Sequence, residues 1–186
     1  RLYLVTGVQT CALPISEQRL WELYNMRLGD IDGDGRADLI WAHASNQYGQ
    51  ILYSATSNGD GTFDFSDRMH YDPATPILDG HTAMVGDITG DDRDDIVWNV
   101  THRESLGTHH VVQVMIATGN ADGTFTFRTK NSYRLDLGCT PLWTLGHHDS
   151  DGRLDVIGNC RLDNRNGLYV GRGSSSGPIL APVKYE

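Results

Sequence analysis

The chain is short of basic residues, methionine and cysteine, and it has no long apolar run. Lys and Arg number 15 against 24 Asp and Glu, a formal net charge of −9. No basic stripe interrupts that acidity, which argues against nucleic acid as the main partner. No apolar stretch approaches the ~20 residues of a membrane-spanning helix, so no membrane span is expected. Four Met against 21 Gly suit a turn-rich β protein better than a helical one, and no helical periodicity of any length competes. CxxC, HExxH and GxSxG patterns are missing. His109–His110 and His147–His148 are adjacent pairs. On a strand such neighbours point to opposite faces and do not readily chelate one ion. No acid pair for glycoside hydrolysis stands out. The reading is therefore no catalytic residue and no enzyme in this chain, in one domain's worth of 186 residues.

What the chain does have is three aspartate-rich loops in register. They are GDIDGDGRADLIW at residues 29–41, GDITGDDRDDIVW at 86–98 and GHHDSDGRLDVIG at 146–158. Their first positions, Asp30, Asp87 and His147, lie 57 and 60 residues apart. A period of that size is the signature of an array of similar units. Acidic side chains alternate within a Gly-rich turn, which is how a short backbone wraps oxygens around a hard cation.

A second signature follows each loop: QILYSATSNGDGTF at 50–63, VQVMIATGNADGTF at 112–125 and NGLYVGRGSSSGPI at 166–179. Leu52, Val114 and Leu168 correspond, as do Phe63, Phe125 and Ile179. Residues 58–61 and 120–123 are tight-turn sequences between apolar runs, the hairpin signal, and Asp60 and Asp122 read as turn formers. Each unit then predicts four short strands. One enters the acidic loop (LYNMRL, HTAMV, PLWTL) and one leaves it (ADLIWAH, DDIVWNV, LDVIGNC). One precedes the second turn and one follows it (FDFSDRM, FTFRTKN, ILAPVKY). The segments are β-branched and aromatic, and too short for helices. Trp41 and Trp98 occupy equivalent places and read as packing residues; Gly158 replaces them in the third unit.

The loops and the NGDGTF turn resemble the FG-GAP/VCBS repeat family, which includes the calcium-binding blades of integrin α-subunits. The resemblance covers about residues 20–186 and implies an all-β fold of three four-stranded β-propeller blades. Propellers close with four to eight blades, about seven in this family. The chain is thus expected to be a fragment whose missing blades belong to the same chain. Blade one is expected at 16–76, blade two at 77–135 and a partial blade three at 136–186. The run VTGVQTCALPI at residues 5–15 is similar to the translation of a short-read sequencing adapter, and residues 1–15 are set aside as an artefact.

The implied cofactor is calcium, with two sites and a weaker third. In the first loop Asp30, Asp32, Asp34 and Asp38 would give side-chain oxygens, and Arg36 its carbonyl. In the second, Asp87, Thr89, Asp91 and Asp95 take those places with the Arg93 carbonyl, one charge fewer. The third offers Asp149, Asp151 and Asp155 with the Arg153 carbonyl, and His147 is a poor ligand for a hard ion. An EF-hand would need Glu at position twelve, where Trp41, Trp98 and Gly158 stand. Cys11 falls in the adapter-like run. Cys139 and Cys160 flank the third loop, either bridged across a hairpin or two free thiols; an extracellular setting favours the bridge. The leading function is a secreted or cell-surface binding, adhesion or scaffold module with an unknown protein or glycan ligand and structural calcium. The alternatives are a lectin-like propeller, with Trp21, Tyr48 or Trp143 stacking on sugar, and an accessory domain of a secreted enzyme.

Overall fold

The computed structural model describes residues 26–45, 49–65, 69–70, 83–103, 110–128, 131–135, 141–162, 165–176 and 183–185. The adapter-like run, Trp21, Tyr48 and Cys139 lie outside them. The described residues form three antiparallel sheets and no helix. The first sheet contains β1 (Arg27–Gly29), β2 (Asp38–Ser45), β3 (Gly49–Ser57), β4 (Phe63–Phe65) and β5 (Met69–His70). The second contains β6 (Ala83–Gly86), β7 (Asp95–Arg103), β8 (His110–Gly119), β9 (Phe125–Phe127) and β10 (Asn131–Leu135). The third contains β11 (Leu142–Gly146), β12 (Asp155–Leu162), β13 (Arg165–Gly171) and β14 (Val183–Tyr185).

The first two sheets have five strands rather than four, because the fourth strand comes in two pieces. β4 and β5 both pair with β3, and β9 and β10 both pair with β8. Ala55 opposes Phe65 and Leu52 opposes Met69. Three steps along β3 are thus matched by four along its partner. Ala117 opposes Phe127 and Val114 opposes Asn131, the same mismatch of one residue. The hairpin turns form where the sequence places them: Asn58 N–H donates to Thr62 C=O at 3.0 Å, and Asn120 N–H to Thr124 C=O at 2.9 Å. Asp60 and Asp122 accept the N–H of Thr62 and Thr124, as turn residues do.

Each sheet is apolar on both faces, which is why its strands read as continuous runs rather than clean alternation. On one face of the second sheet, Ile96, Trp98, Met115 and Ala117 pack with Ile31, Ile40 and Leu52 of the first. On its other face, Val97, Val112, Val114 and Ile116 pack with Val156, Cys160 and Tyr169 of the third. The inner strands β1, β6 and β11 touch in that order, so the three acidic loops follow one another along one end of the stack.

The third sheet replaces the loop tryptophan by a swap across a strand pair. Ala83 opposes Trp98 in the second sheet, whereas Trp143 opposes Gly158 in the third. A Cβ on Gly158 would lie 2.4 Å from Trp143 Cζ3, so the ring fills the space a side chain would take. Large and small have changed strands while the layer stays filled. Trp143 therefore packs against the core between sheets two and three. Cys160 is buried in that same core and disulfide-bonded.

Candidate metal centre

Positions one and nine of the loops shape the backbone before any ion is considered. Asp38, Asp95 and Asp155, at position nine, are fully buried. Each joins the start of its loop to the end of the strand two places on or, for Asp155, to a residue just past it. Asp38 accepts the N–H of Ile31 at 2.9 Å and of Ser57 at 2.7 Å. Asp95 accepts those of Ile88, Thr89 and Gly119, each at 3.0 Å. Asp155 accepts those of His148 at 2.8 Å and Gly173 at 2.9 Å. Buried carboxylates persist only with such partners. Even so, burial pushes Asp95 up to about 6, against the lowering effect of its three N–H donors and the Thr89 hydroxyl.

Position one folds the turn. Asp30 accepts the N–H groups of Gly33 at 2.9 Å, Asp34 at 3.0 Å and Gly35 at 2.8 Å. Asp87 does the same for Gly90, Asp91 and Asp92. The turn requires a left-handed residue at position six: Gly35 (φ 82°), Asp92 (φ 63°) and Gly152 (φ 84°). Asp92 meets that need without glycine, as short polar residues can.

In the first loop this scaffold gathers three carboxylates. Asp30, Asp32 and Asp38 each offer an oxygen, all within 4.8 Å of one another, a group able to hold a metal ion. Burial, then the charges of Asp38, Asp34 and Asp30, raise Asp32 above the ordinary carboxylate range, with the Asp34 N–H opposing. A cation would relieve that repulsion, and an all-oxygen donor set suits a hard ion of the calcium type. Asp34 is turned elsewhere. It pairs with the Arg36 guanidinium, and the same pairing recurs as Asp91–Arg93 and Asp151–Arg153. The arginines also reach the end of the hairpin: Arg36 Nε donates to Ser57 C=O at 2.8 Å and Arg93 Nε to Gly119 C=O at 3.1 Å.

The other loops differ where the sequence differs. In the second, the Thr89 hydroxyl stands in for the middle carboxylate, 3.4 Å from Asp87 Oδ1. In the third, the His147 ring sits 2.9 Å from the Arg153 carbonyl, an oxygen that position seven would lend to an ion. Asp149 there faces Arg172 Nε at 3.5 Å. Imidazole and guanidinium thus occupy oxygens that a cation would use.

The loops also link the sheets, a feature with no counterpart in the sequence pattern. Asp94 N–H donates to Asp30 C=O at 2.7 Å, and Leu154 N–H to Asp87 C=O at 2.9 Å. The arginine stem of one loop covers the position-four glycine of the loop before. A Cβ on Gly33 would lie 3.1 Å from Arg93 Cγ, and one on Gly90 2.7 Å from Arg153 Cγ. Ile31 and Ile88, at position two, are fully buried in the two inter-sheet cores. Ser54 adds a buried bond across the first seam, to Gly123 C=O at 2.7 Å.

Residues 30–98 match the family model described as FG-GAP-like repeat. The match opens on Asp30 and runs through the whole of the second acidic loop to Trp98. No curated protein matches the chain.

Proposed function

With residues 30–98 an FG-GAP-like repeat, we propose that the chain is a calcium-pinned segment of a β-propeller serving as an extracellular binding or scaffold module. The observation that carries the cation half is the Asp30, Asp32 and Asp38 group, convergent within 4.8 Å and mutually repulsive. Asp30, Asp32 and Asp38 would hold the ion in the first loop. Asp87, Thr89 and Asp95 would do so more weakly in the second, and the third loop stays closed by His147 and Arg172. Bound calcium would cancel charge and stiffen the loop tips, leaving the flanking surfaces to do the binding. The module is read as non-catalytic: its position-one and position-nine carboxylates serve to order backbone N–H groups.

The propeller half rests on the repetition of one interface. Leu28, Leu39, Trp41, Tyr53, Ala55 and Phe65 line the outward face of the first sheet by cross-strand register. They match Val85, Ile96, Trp98, Met115, Ala117 and Phe127, the face by which the second sheet meets the first. Leu28 and Phe65 are exposed there, as are Leu142, Leu168 and Val183 on the outward face of the third sheet. Further blades of the same kind would cover both. No helix among the described residues is long and apolar enough to cross a membrane. The lectin alternative loses Trp143, which packs inward against Gly158.

The test is thermal unfolding of the full chain in millimolar calcium and in chelator. A calcium-dependent rise in Tm that disappears in Asp32→Ala supports the reading, because binding to the native state alone must stabilise it. A cooperative transition indifferent to calcium would reduce the loops to acidic turns.

A further inference from the structure

Position eight of the loops is Ala37, Asp94 and Leu154 in turn, with no common chemistry. Its backbone nonetheless does one job at both seams, donating to the position-one carbonyl of the preceding loop. The side chains occupy one place as well. A Cβ on Gly29 would lie 2.8 Å from Asp94 Oδ2, and one on Gly86 2.3 Å from Leu154 Cδ1. At the second seam the contact is apolar. At the first it is a carboxylate, half-buried between the charges of Asp30 and Asp87. Leucine would satisfy packing there without that electrostatic cost.

The Asp94 carboxylate gains a hydrogen bond in return. Its Oδ2 accepts the Asp30 N–H at 2.9 Å. Asp30 is the first residue of the first loop, read above as a cation site. With the 2.7 Å bond from its own N–H to the Asp30 carbonyl, Asp94 grips Asp30 from both sides.

We propose that Asp94 is a positioning residue, a clasp that fixes the first residue of the preceding loop and makes the two loops one unit across the sheet seam. It touches no ion itself. It holds the Asp30 backbone where its carboxylate can serve the first loop. The cation half of this statement rests on the calcium reading; the clasp itself does not.

The experiment compares the full chain with Asp94→Leu, the residue the third loop carries over Gly86, and with Asp94→Asn, which keeps an acceptor oxygen. Amide exchange of Asp30 is followed by NMR, and calcium binding by calorimetry. The first-loop component is the part of the isotherm lost in Asp32→Ala. In Asp94→Leu the Asp30 amide should exchange about ten-fold faster or more, as loss of one hydrogen bond to a charged group permits. First-loop affinity should fall several-fold, and Asp94→Asn should restore Asp30 protection and most of the affinity. Unchanged Asp30 exchange in Asp94→Leu, or no rescue by asparagine, overturns the clasp. If the leucine variant does not fold, Asp94→Ala, the residue of the first loop at this place, takes its role with the same outcomes. A wild-type chain that takes up no calcium would sink the cation reading alone, and the exchange data would still decide the clasp.

Discussion

Asp38 and Asp155 hold the same place in their loops and make the same pair of backbone bonds, but only Asp38 belongs to a carboxylate group. Replacing each by asparagine separates the structural role from the cation role. In Asp155→Asn one oxygen can still accept, while the new NH2 faces a buried N–H. A hydrogen bond to a charged group contributes roughly 1.5–3 kcal/mol, and an unpaired buried donor costs about 1–3 kcal/mol. The two overlap, so the expected loss is about 3 kcal/mol. For a chain of this size that is a fall in Tm of roughly 6–12 °C, the same with calcium or chelator. Asp38→Asn suffers the same mispairing but also removes the charge that acts most strongly on Asp32. In chelator its loss should therefore be smaller, about 2 kcal/mol, since the lost bonds still outweigh the relieved repulsion. In calcium the order reverses. The wild type gains up to about 2.7 kcal/mol at a hundred-fold excess over Kd, and Asp38→Asn loses most of that gain. Urea unfolding of the three proteins in both conditions supplies the six midpoints. An Asp155→Asn cost below about 1 kcal/mol refutes the buried-bridge argument. Equal calcium responses in Asp38→Asn and wild type refute the placement of Asp38 in the cation group.

Further outcomes follow from the seams and the buried acids. Ile31→Ala empties a fully buried place between sheets one and two and should cost about 2–5 kcal/mol in urea unfolding; a loss under about 1 kcal/mol would mean the position-two side chain is not buried there. Gly119→Ala would set a Cβ 2.6 Å from Asp94 O and 2.7 Å from Ile31 O, both backbone, and should destabilise by at least ~1–3 kcal/mol; a variant melting within a degree of wild type counts against the close approach. Burial lifts Asp95 to about 6, above the ~3.9 of an unfolded aspartate. The native state then binds the proton more tightly, so this group's contribution is greatest below pH ~4 and is lost as pH rises through about 6. In chelator, the Tm difference between wild type and Asp95→Asn should shift against wild type across that window, and a shift the other way refutes the sign.

Local chemistry made part of this protein legible from its sequence. Aspartates at alternating positions beside glycine can only be a tight acidic turn, and Asn58 with Asp60 and Gly61 specifies a hairpin. The strands beside them are too short and too β-branched to be anything else. The site was harder to read, because a carboxylate in such a loop can serve an ion, an arginine or a backbone N–H. Asp34, Asp91 and Asp151 look like ligands in the pattern, yet each faces the arginine two residues on. Asp38 reads as one ligand among four, but its burial makes it a bridge between Ile31 and Ser57 as well. The split of the outer strands was hidden because a shift of register by one residue leaves no mark on an alternating pattern.

The sequence by itself determined the repeat, the loops and the apolar runs that must be buried, since each depends on residues within one unit. The tertiary structure alone decided what passes between units. It put Trp143 over Gly158, where a gap in one strand is filled from its neighbour. It set Ile31 and Ile88 into the cores of adjoining sheets. It brought Asp94 against Asp30 across 64 residues of chain. The physical reason is common to all three. Local patterning fixes which side chains must leave water. Which groups meet after they do is set by how one sheet stacks on the next.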